Sequence, residues 1–326
     1  MKNFWNTLPK PFFVLAPLAD VTDVAFRGII AKYGKPDVMW TEFVSADGLV
    51  SKEGREHLMI DLAYTESERP IVAQLFTSKP ENMRKAAKII LELGFDGLDI
   101  NMGCPDRTIE KQGAGAALIK SEKLAREIIR AAKEGVEDKI PVSVKTRVGY
   151  NQDILEEWLG AILEEKPAAL TVHARTRKEM SKVPARWEAV ERAVKLRDFL
   201  QGESLAERML IIGNGDVKDL ADAETKARET GADGVMLGRA IFGNPWLFDK
   251  KAGYQNIKTK EKLEVMVEHT NLFEKLLGGK KNFSIMKKHY KAYANGFNGA
   301  KELRTKLMEA GNADEVEDIV NMFLKL

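Results

Sequence analysis

Eight short apolar runs recur along the chain, each rich in β-branched or aromatic residues and too short for a buried helix. They are FFVLAP from Phe12, MWTEFV from Met39, IVAQLF from Ile71, GLDINMG from Gly97, PVSVKT from Pro141, ALTVHA from Ala169, MLIIGNGD from Met209 and GVMLG from Gly234. Between them the period changes. NMRKAAKIILELG repeats apolar residues at three- and four-residue steps and stops at Gly94, and SEKLAREIIRAAKEG opens on Ser121 as an N-cap and closes at Gly135. Single strands alternating with helices predict parallel pairing, because each return needs a crossover. Eight such units over about 240 residues predict an α/β fold of the (β/α)8 barrel type. An open doubly wound sheet of six or seven strands is the competing architecture. After residue 250 the strand signals stop and the pattern is helical, punctuated by Gly278-Gly279, Gly296, Gly299 and Gly311. The expected division is a barrel over 1–250 and a helical bundle over 251–326.

In such a barrel, chemistry sits where the strands end. Strand one ends at Pro17-Leu18-Ala19. Strand three carries Gln74, strand four Asn101 and Cys104, strand five Lys145 and Arg147, strand six His173 and Arg175. Strand seven ends in Asn214-Gly215-Asp216 and strand eight in Gly238-Arg239. Taken singly, Gln74 or His173 also reads as a satisfied core residue, and Cys104 as an inert buried thiol. A lysine inside VSVKTRV is harder to explain structurally, since a buried ammonium is costly unless its charge is answered. Glycine turns closing strands seven and eight suit a phosphate, cradled by backbone N–H groups with Arg239 adding charge. A phosphate there, with an amide, a lysine and an imidazole reaching a ring, fits flavin mononucleotide (FMN). Gln74 would bond the polar edge of the flavin and Lys145 would favour its reduced form.

Composition narrows the partners. Net charge is only +2, so any nucleic-acid surface must be local. The segment from Gly278 to Lys306 supplies one. It holds eight basic residues (Lys280, Lys281, Lys287, Lys288, Lys291, Lys301, Arg304 and Lys306) against Glu302 alone. A phosphate-binding face would need such a concentration; a solvated helix face is the plainer reading. The one cysteine excludes an intramolecular disulfide and suits a reducing cytosol. No apolar stretch approaches the length of a membrane span and no secretory leader is visible, so a cytoplasmic protein is expected. The four histidines are too scattered for a metal site, and no leftover apolar stripe asks for a second subunit, so a monomer is expected.

The motifs LAPLADVTDVAFR (15–27), DINMGCP (99–105), KQGAGAALIK (111–120), VKTRVGY (144–150), TVHARTR (171–177), IIGNGDV (211–217) and GVMLGRAIFGNPW (234–246) stand in the order and spacing of the tRNA-dihydrouridine synthases. MKKHYKAY and the following ELR (Met286 to Arg304) resemble that family's helical tail. The resemblance spans essentially the whole chain. It implies an FMN barrel with a helical tRNA-binding domain, in which NADPH, or NADH, reduces the flavin and the flavin reduces the C5=C6 bond of a tRNA uridine. Carried over by position, Cys104 is the expected proton donor to C5. Pro17, Leu18, Ala19, Gln74, Lys145, His173, Asn214, Gly215, Asp216, Gly238 and Arg239 fall on FMN-contacting positions. Asn101 and Arg147 fall on uracil-contacting positions, and Arg175, Lys287, Lys288 and Arg304 complete the expected substrate-binding set. The first motif departs from the family, reading Pro-Leu-Ala-Asp where Pro-Met-Ala-Gly is common, which adds the carboxylate of Asp20 near the flavin. Rival readings are a flavin barrel reductase acting on a free pyrimidine, a catalytically idle RNA-binding barrel, and a flavin-free aldolase using Lys145 as a Schiff base.

Overall fold

All eight predicted strands form within two residues of their expected bounds: β1 Phe12–Leu15, β2 Met39–Ser45, β3 Ile71–Phe76, β4 Gly97–Met102, β5 Val142–Arg147, β6 Ala169–His173, β7 Leu210–Asn214 and β8 Gly234–Leu237. The structure is a computed structural model and describes residues 3–201, 208–250 and 257–325. Every strand pairs parallel with its neighbours, in the order β1-β8-β7-β6-β5-β4-β3-β2. The ring closes between β1 and the residues entering β2, where Val14 bridges Val38, Leu15 N donates to Val38 O, and Asp37 N donates to Phe13 O. A doubly wound sheet would have left two open edges, so the barrel reading holds.

The two-residue period of a strand decides what goes where. In β4, Leu98, Ile100 and Met102 join the apolar layer under the helices, while Asp99 and Asn101 point to the barrel interior. The interior is apolar only at its floor. There Trp5, on a short turn over Phe4–Thr7, packs its ring 5.7 Å from Phe12 and 5.9 Å from Trp40, above which lie Val14, Ile212 and Met236. This closes the N-terminal end of the barrel.

The crossover helices include α1 Val24–Tyr33, α4 Pro80–Glu92, α6 Glu122–Gly135 and α8 Glu188–Gln201, and shorter α2 (Ala46–Val50), α3 (Lys52–Leu58) and α5 (Arg107–Lys111) lie near the mouth. Ser121 caps α6 as expected, its Oγ accepting from Leu124 N. Gly135 ends that helix as expected. It lies in the last turn, where a Cβ would come within 2.3 Å of Arg84 O, so its role is close packing of α6 on α4. α7 (Leu155–Glu164) and α9 (Leu220–Thr230) complete the outer ring. No described helix is long and apolar enough to cross a membrane.

The tail forms α10 Thr259–Leu277, α11 Met286–Tyr293, α12 Ala300–Glu309 and α13 Ala313–Leu324. The boundary expected at 250/251 touches residues 251–256, outside the described residues. The tail's apolar core, with Leu263, Met266, Phe273, Tyr290, Leu303 and Val320, also takes in Val24, Ala25 and Ile29 of α1 and Trp246. The tail is therefore packed onto the first crossover helix of the barrel. At the seam, the fully buried His269 and His289 rings lie 4.7 Å apart and flank Phe26 at 5.1 and 4.7 Å. None of their four ring nitrogens has a partner among the described residues.

Burial holds both imidazoles neutral. It lowers His269 well below its ordinary value and His289 to about 3, with Lys288 adding to the second shift. The folded chain then binds fewer protons at these sites than the unfolded chain does. Stability is whole above about pH 6.5 and falls as pH drops below it, by up to ~1.4 kcal/mol per pH unit per histidine. Urea unfolding between pH 7.5 and 5 should show this loss, and the His269→Phe, His289→Phe double variant should show a shallower one. An equal pH slope in both proteins would contradict the assignment.

Candidate functional site

The carboxyl ends of the strands open on a cavity of about 750 Å3. Pro17, Leu18, Ala19, Gln74, Lys145, His173, Asn214, Gly215, Asp216, Gly238 and Arg239 line it, together with Asn101, Cys104 and Arg147. Residues from seven strand ends thus meet in one concave space. Arg175, Lys287, Lys288 and Arg304 do not line it.

The wall on the β3–β5 side is a chain of hydrogen bonds rooted in Asp99. Asp99 is fully buried and accepts from Gln74 Nε2 at 2.6 Å and from Ser143 Oγ at 2.6 Å. A carboxylate only accepts, so it sets which way the Gln74 amide faces. Gln74 Oε1 then accepts from Asn101 Nδ2 at 2.9 Å, which leaves Asn101 Oδ1 to accept from the N–H groups of Gly103 and Cys104 at 3.1 and 2.9 Å. Burial pushes the Asp99 carboxyl up to about 6, so the carboxylate form prevails at neutral pH. Asp99 was not among the expected residues, although strand alternation places it on the same face as Asn101.

The loop carrying Cys104 is fixed from three sides. Asn101 holds its amide, Ala116 N donates to its carbonyl at 2.9 Å, and Arg147 Nε donates to Gly103 O at 2.8 Å. Gly115 lies against this loop at φ +60, where a Cβ would stand 2.8 Å from Cys104 O. That contact accounts for the second glycine in KQGAGAALIK. Burial pushes the Cys104 thiol above its ordinary value, against the pull of the Asp106 N–H. It is therefore a neutral, partly exposed S–H facing the cavity.

Lys145 Nζ has one hydrogen bond among the described residues, a long one of 3.3 Å to Asn214 Oδ1, and no ion pair. Burial, reinforced by Arg147, pulls its ammonium down to about 8. His173 is held neutral, lowered by burial and then by Arg147, and its buried Nδ1 has no partner. A cation with no direct ion pair among the described residues, at the wall of the cavity, is what an anionic ligand would complete.

On the β7–β8 side, Gly215 adopts φ +126 and a Cβ there would lie 2.8 Å from Ala185 Cβ, so only glycine makes the turn. Gly213 serves a different purpose. A Cβ would collide with the Trp187 ring, which packs across it and donates Nε1 to Gly215 O at 2.9 Å. Asp216 lines the cavity with its side chain already engaged. Its carboxylate pairs with Arg175, binds Arg239 Nη2 at 2.7 Å and accepts from Ala185 N at 2.9 Å. An anion could meet only its backbone. Arg175 is buried behind the wall, with Nε donating to Val183 O at 2.6 Å, and it ties the loops after β6 and β7 together. Lys218, Ser181 and Phe43 line the cavity without having been singled out. Among the described residues no cluster of three His, Cys, Asp or Glu side chains is placed to hold a metal ion.

The residues present fit FMN: a glycine turn with Arg239 for its phosphate, Lys145 and His173 for its ring, and Pro17–Ala19 as the opposing turn. Comparison with known proteins bears on the same point. A family model described as dihydrouridine synthase matches residues 14–325. A probable tRNA-dihydrouridine synthase 2 of Bacillus subtilis is 42% identical over 99% of this chain and 97% of its own length. A probable tRNA-dihydrouridine synthase of Staphylococcus epidermidis is 40% identical over 99% and 96%. Among solved structures, histamine dehydrogenase from Rhizobium sp. 4-9 aligns with a TM-score of 0.54 at 13% identity, over 80% of this chain and 48% of that one. A 2-naphthoyl-CoA reductase gives 0.54 at 11%, over 74% and 49%. The chain spans about half the length of these two, and at such identities they bear on the fold alone.

As the one thiol in the sequence, Cys104 can be followed by alkylation without interference. Because thiolate is the reactive form, iodoacetamide labelling should rise with pH through a midpoint above the ordinary thiol value of about 8.5. A midpoint below it would contradict the burial argument. Gly115→Ala should label faster and lose roughly 1–3 kcal/mol of stability, as expected for a side chain forced into left-handed backbone.

Proposed function

The chain belongs to the dihydrouridine synthase family, and on that premise we propose that it is an FMN-dependent tRNA-dihydrouridine synthase, acting as a monomer in the cytoplasm. The observation that supports this reading best is the convergence of a neutral thiol, an unanswered lysine and an amide chain on one cavity. Bound FMN would supply to C6 of a uridine the hydride it takes from NADPH or NADH. Cys104 then performs the complementary step, in which its S–H bond breaks, a C5–H bond forms, and the thiolate regains a proton from water. A donor that is neutral at pH 7, yet more acidic than an alcohol, suits that step. Asn101, whose orientation is set through Gln74, and Arg147, whose Nη1 is held by Thr176 O at 3.2 Å and Met180 O at 3.3 Å, would position the base at the cavity.

A uridine in folded RNA must leave its stack to reach such a cavity, and the tail would grip the surrounding backbone. Lys288 stands 4.0 Å from Asp20, the residue that follows Pro17–Ala19, so α11 flanks the mouth. Lys287 lies on the same helix. Arg304 Nη1 closes the end of α11 through Ala294 O at 2.7 Å.

The direct test reduces the flavin-loaded protein without oxygen and follows absorbance near 450 nm on adding unmodified tRNA, then orotate or free uridine. Reoxidation by tRNA alone is expected. Reoxidation by the small pyrimidine would favour a free-base reductase, and the lack of a flavin signal would remove the cofactor.

Cys104→Ala should bind FMN and oxidise NADPH normally yet reduce tRNA some 10²–10⁴-fold more slowly; parental turnover would remove the thiol from the chemistry. Affinity for tRNA should fall steeply with salt. Replacing Lys287 and Lys288 together should shallow the log–log slope by roughly 1.5, at ~0.7–0.9 per phosphate contact, and an unchanged slope would exclude them as contacts.

A further inference from the structure

Lys281 belongs by position to the basic segment of the tail, but it is not available to RNA. Its side chain is 11% exposed, and Nζ lies 2.6 Å from Glu42 Oε2 and 2.6 Å from Asp61 Oδ1. Glu42 is itself 7% exposed. Its other oxygen, Oε1, accepts from Asp20 N at 2.5 Å. Asp20 sits at φ +53, a left-handed conformation uncommon for a residue with a Cβ. The rest of its turn is self-contained, with Leu18 N donating to Thr22 Oγ1 and Val21 N and Thr22 N to Leu18 O. Glu42 is the group that holds the Asp20 amide. The same turn presents Pro17, Leu18 and Ala19 to the cavity. A buried cation from the tail, one carboxylate in the middle of β2 and one backbone amide therefore join the tail to the cavity wall.

We propose that Lys281 is a positioning residue for the cofactor-facing turn Pro17–Thr22, acting through Glu42, so that the docked tail sets the wall against which the flavin lies. The cofactor half of this inference rests on the flavin reading given above. The physical reason is the surplus of negative charge under the turn. Glu42 and Asp61 flank the ammonium, with Asp23 near enough to raise Glu42 further. Without Lys281, burial and like charge would drive Glu42 to protonate or to move away. Either response weakens a charge-assisted hydrogen bond to the Asp20 N–H, and a strained residue is then released.

The test compares the full chain with Lys281→Met, Lys281→Arg and Glu42→Gln, and with Lys275→Met, an exposed lysine of the same tail, as control. Glu42→Gln keeps the shape but must set an NH2 group against either the ammonium or the Asp20 N–H. It serves in place of Lys281→Met if that variant does not fold. Hydrogen exchange of the amides of residues 18–22 is read in the flavin-free protein, and FMN affinity by titration with flavin fluorescence. Lys281→Met and Glu42→Gln should exchange at least tenfold faster over 18–22 and bind FMN at least tenfold more weakly, with Lys281→Arg close to the parent and Lys275→Met unchanged. Parental exchange in both Lys281→Met and Glu42→Gln would overturn the positioning role whatever the flavin does. Faster exchange with parental FMN affinity would overturn its link to the cofactor. Faster exchange in a protein whose parent binds no FMN would defeat the flavin reading and leave Lys281 as a support of the wall alone.

Discussion

A carboxylate sealed from water accepts hydrogen bonds and offers none, and that asymmetry at Asp99 propagates through the site. It dictates the face of the Gln74 amide, which dictates the face of Asn101, which receives the amide of Cys104. The lever is short and made of strand residues whose backbones are already pinned in the sheet. The ring wall and the thiol loop are thus two ends of one ordered network. Inside a barrel such a network is tolerable only because its polar groups partner one another, and Lys145, with one long hydrogen bond to Asn214 among the described residues, lines the cavity beside it.

The barrel was legible because its two signals are strong and independent: a two-residue period for strands and three- to four-residue steps for helices. The site was legible because the fold sends strand ends to one face, so naming polar residues at those ends was enough. What escaped is what alternation hides and what partners decide. Asp99 reads as one more strand residue until its neighbours across the sheet are known. Arg175 and Asp216 look like binding groups in the sequence, yet their charges are paired with each other, Arg175 from behind the wall and Asp216 at its surface. Gly213 looks like part of a phosphate turn and instead makes room for Trp187. In each case the deciding contact comes from a residue far away in sequence.

Charge in the tail carries the same lesson. Eight basic residues in a row of helices suggested a uniform surface, but folding sorts them. Lys281 is turned inward against Glu42 and Asp61, Arg304 closes a helix end, and Lys288 is left at the rim beside Asp20. Part of the apparent nucleic-acid face is in fact the means by which the tail is fastened to the barrel. The apolar seam of Phe26, His269 and His289 completes that attachment without any hydrogen bond from the imidazoles.

The floor built around Trp5 has a bearing on timing. With the lower end of the barrel filled by tryptophan and phenylalanine rings, the described residues leave the cavity a doorway at the carboxyl ends of the strands. Whatever delivers electrons and whatever receives them must use it in turn. On the proposed function, a nicotinamide and a nucleobase would share one ring face, so each visitor would have to leave before the next arrives. Turnover would then be a succession of separate visits, with the tail placed beside the doorway to hold the larger visitor.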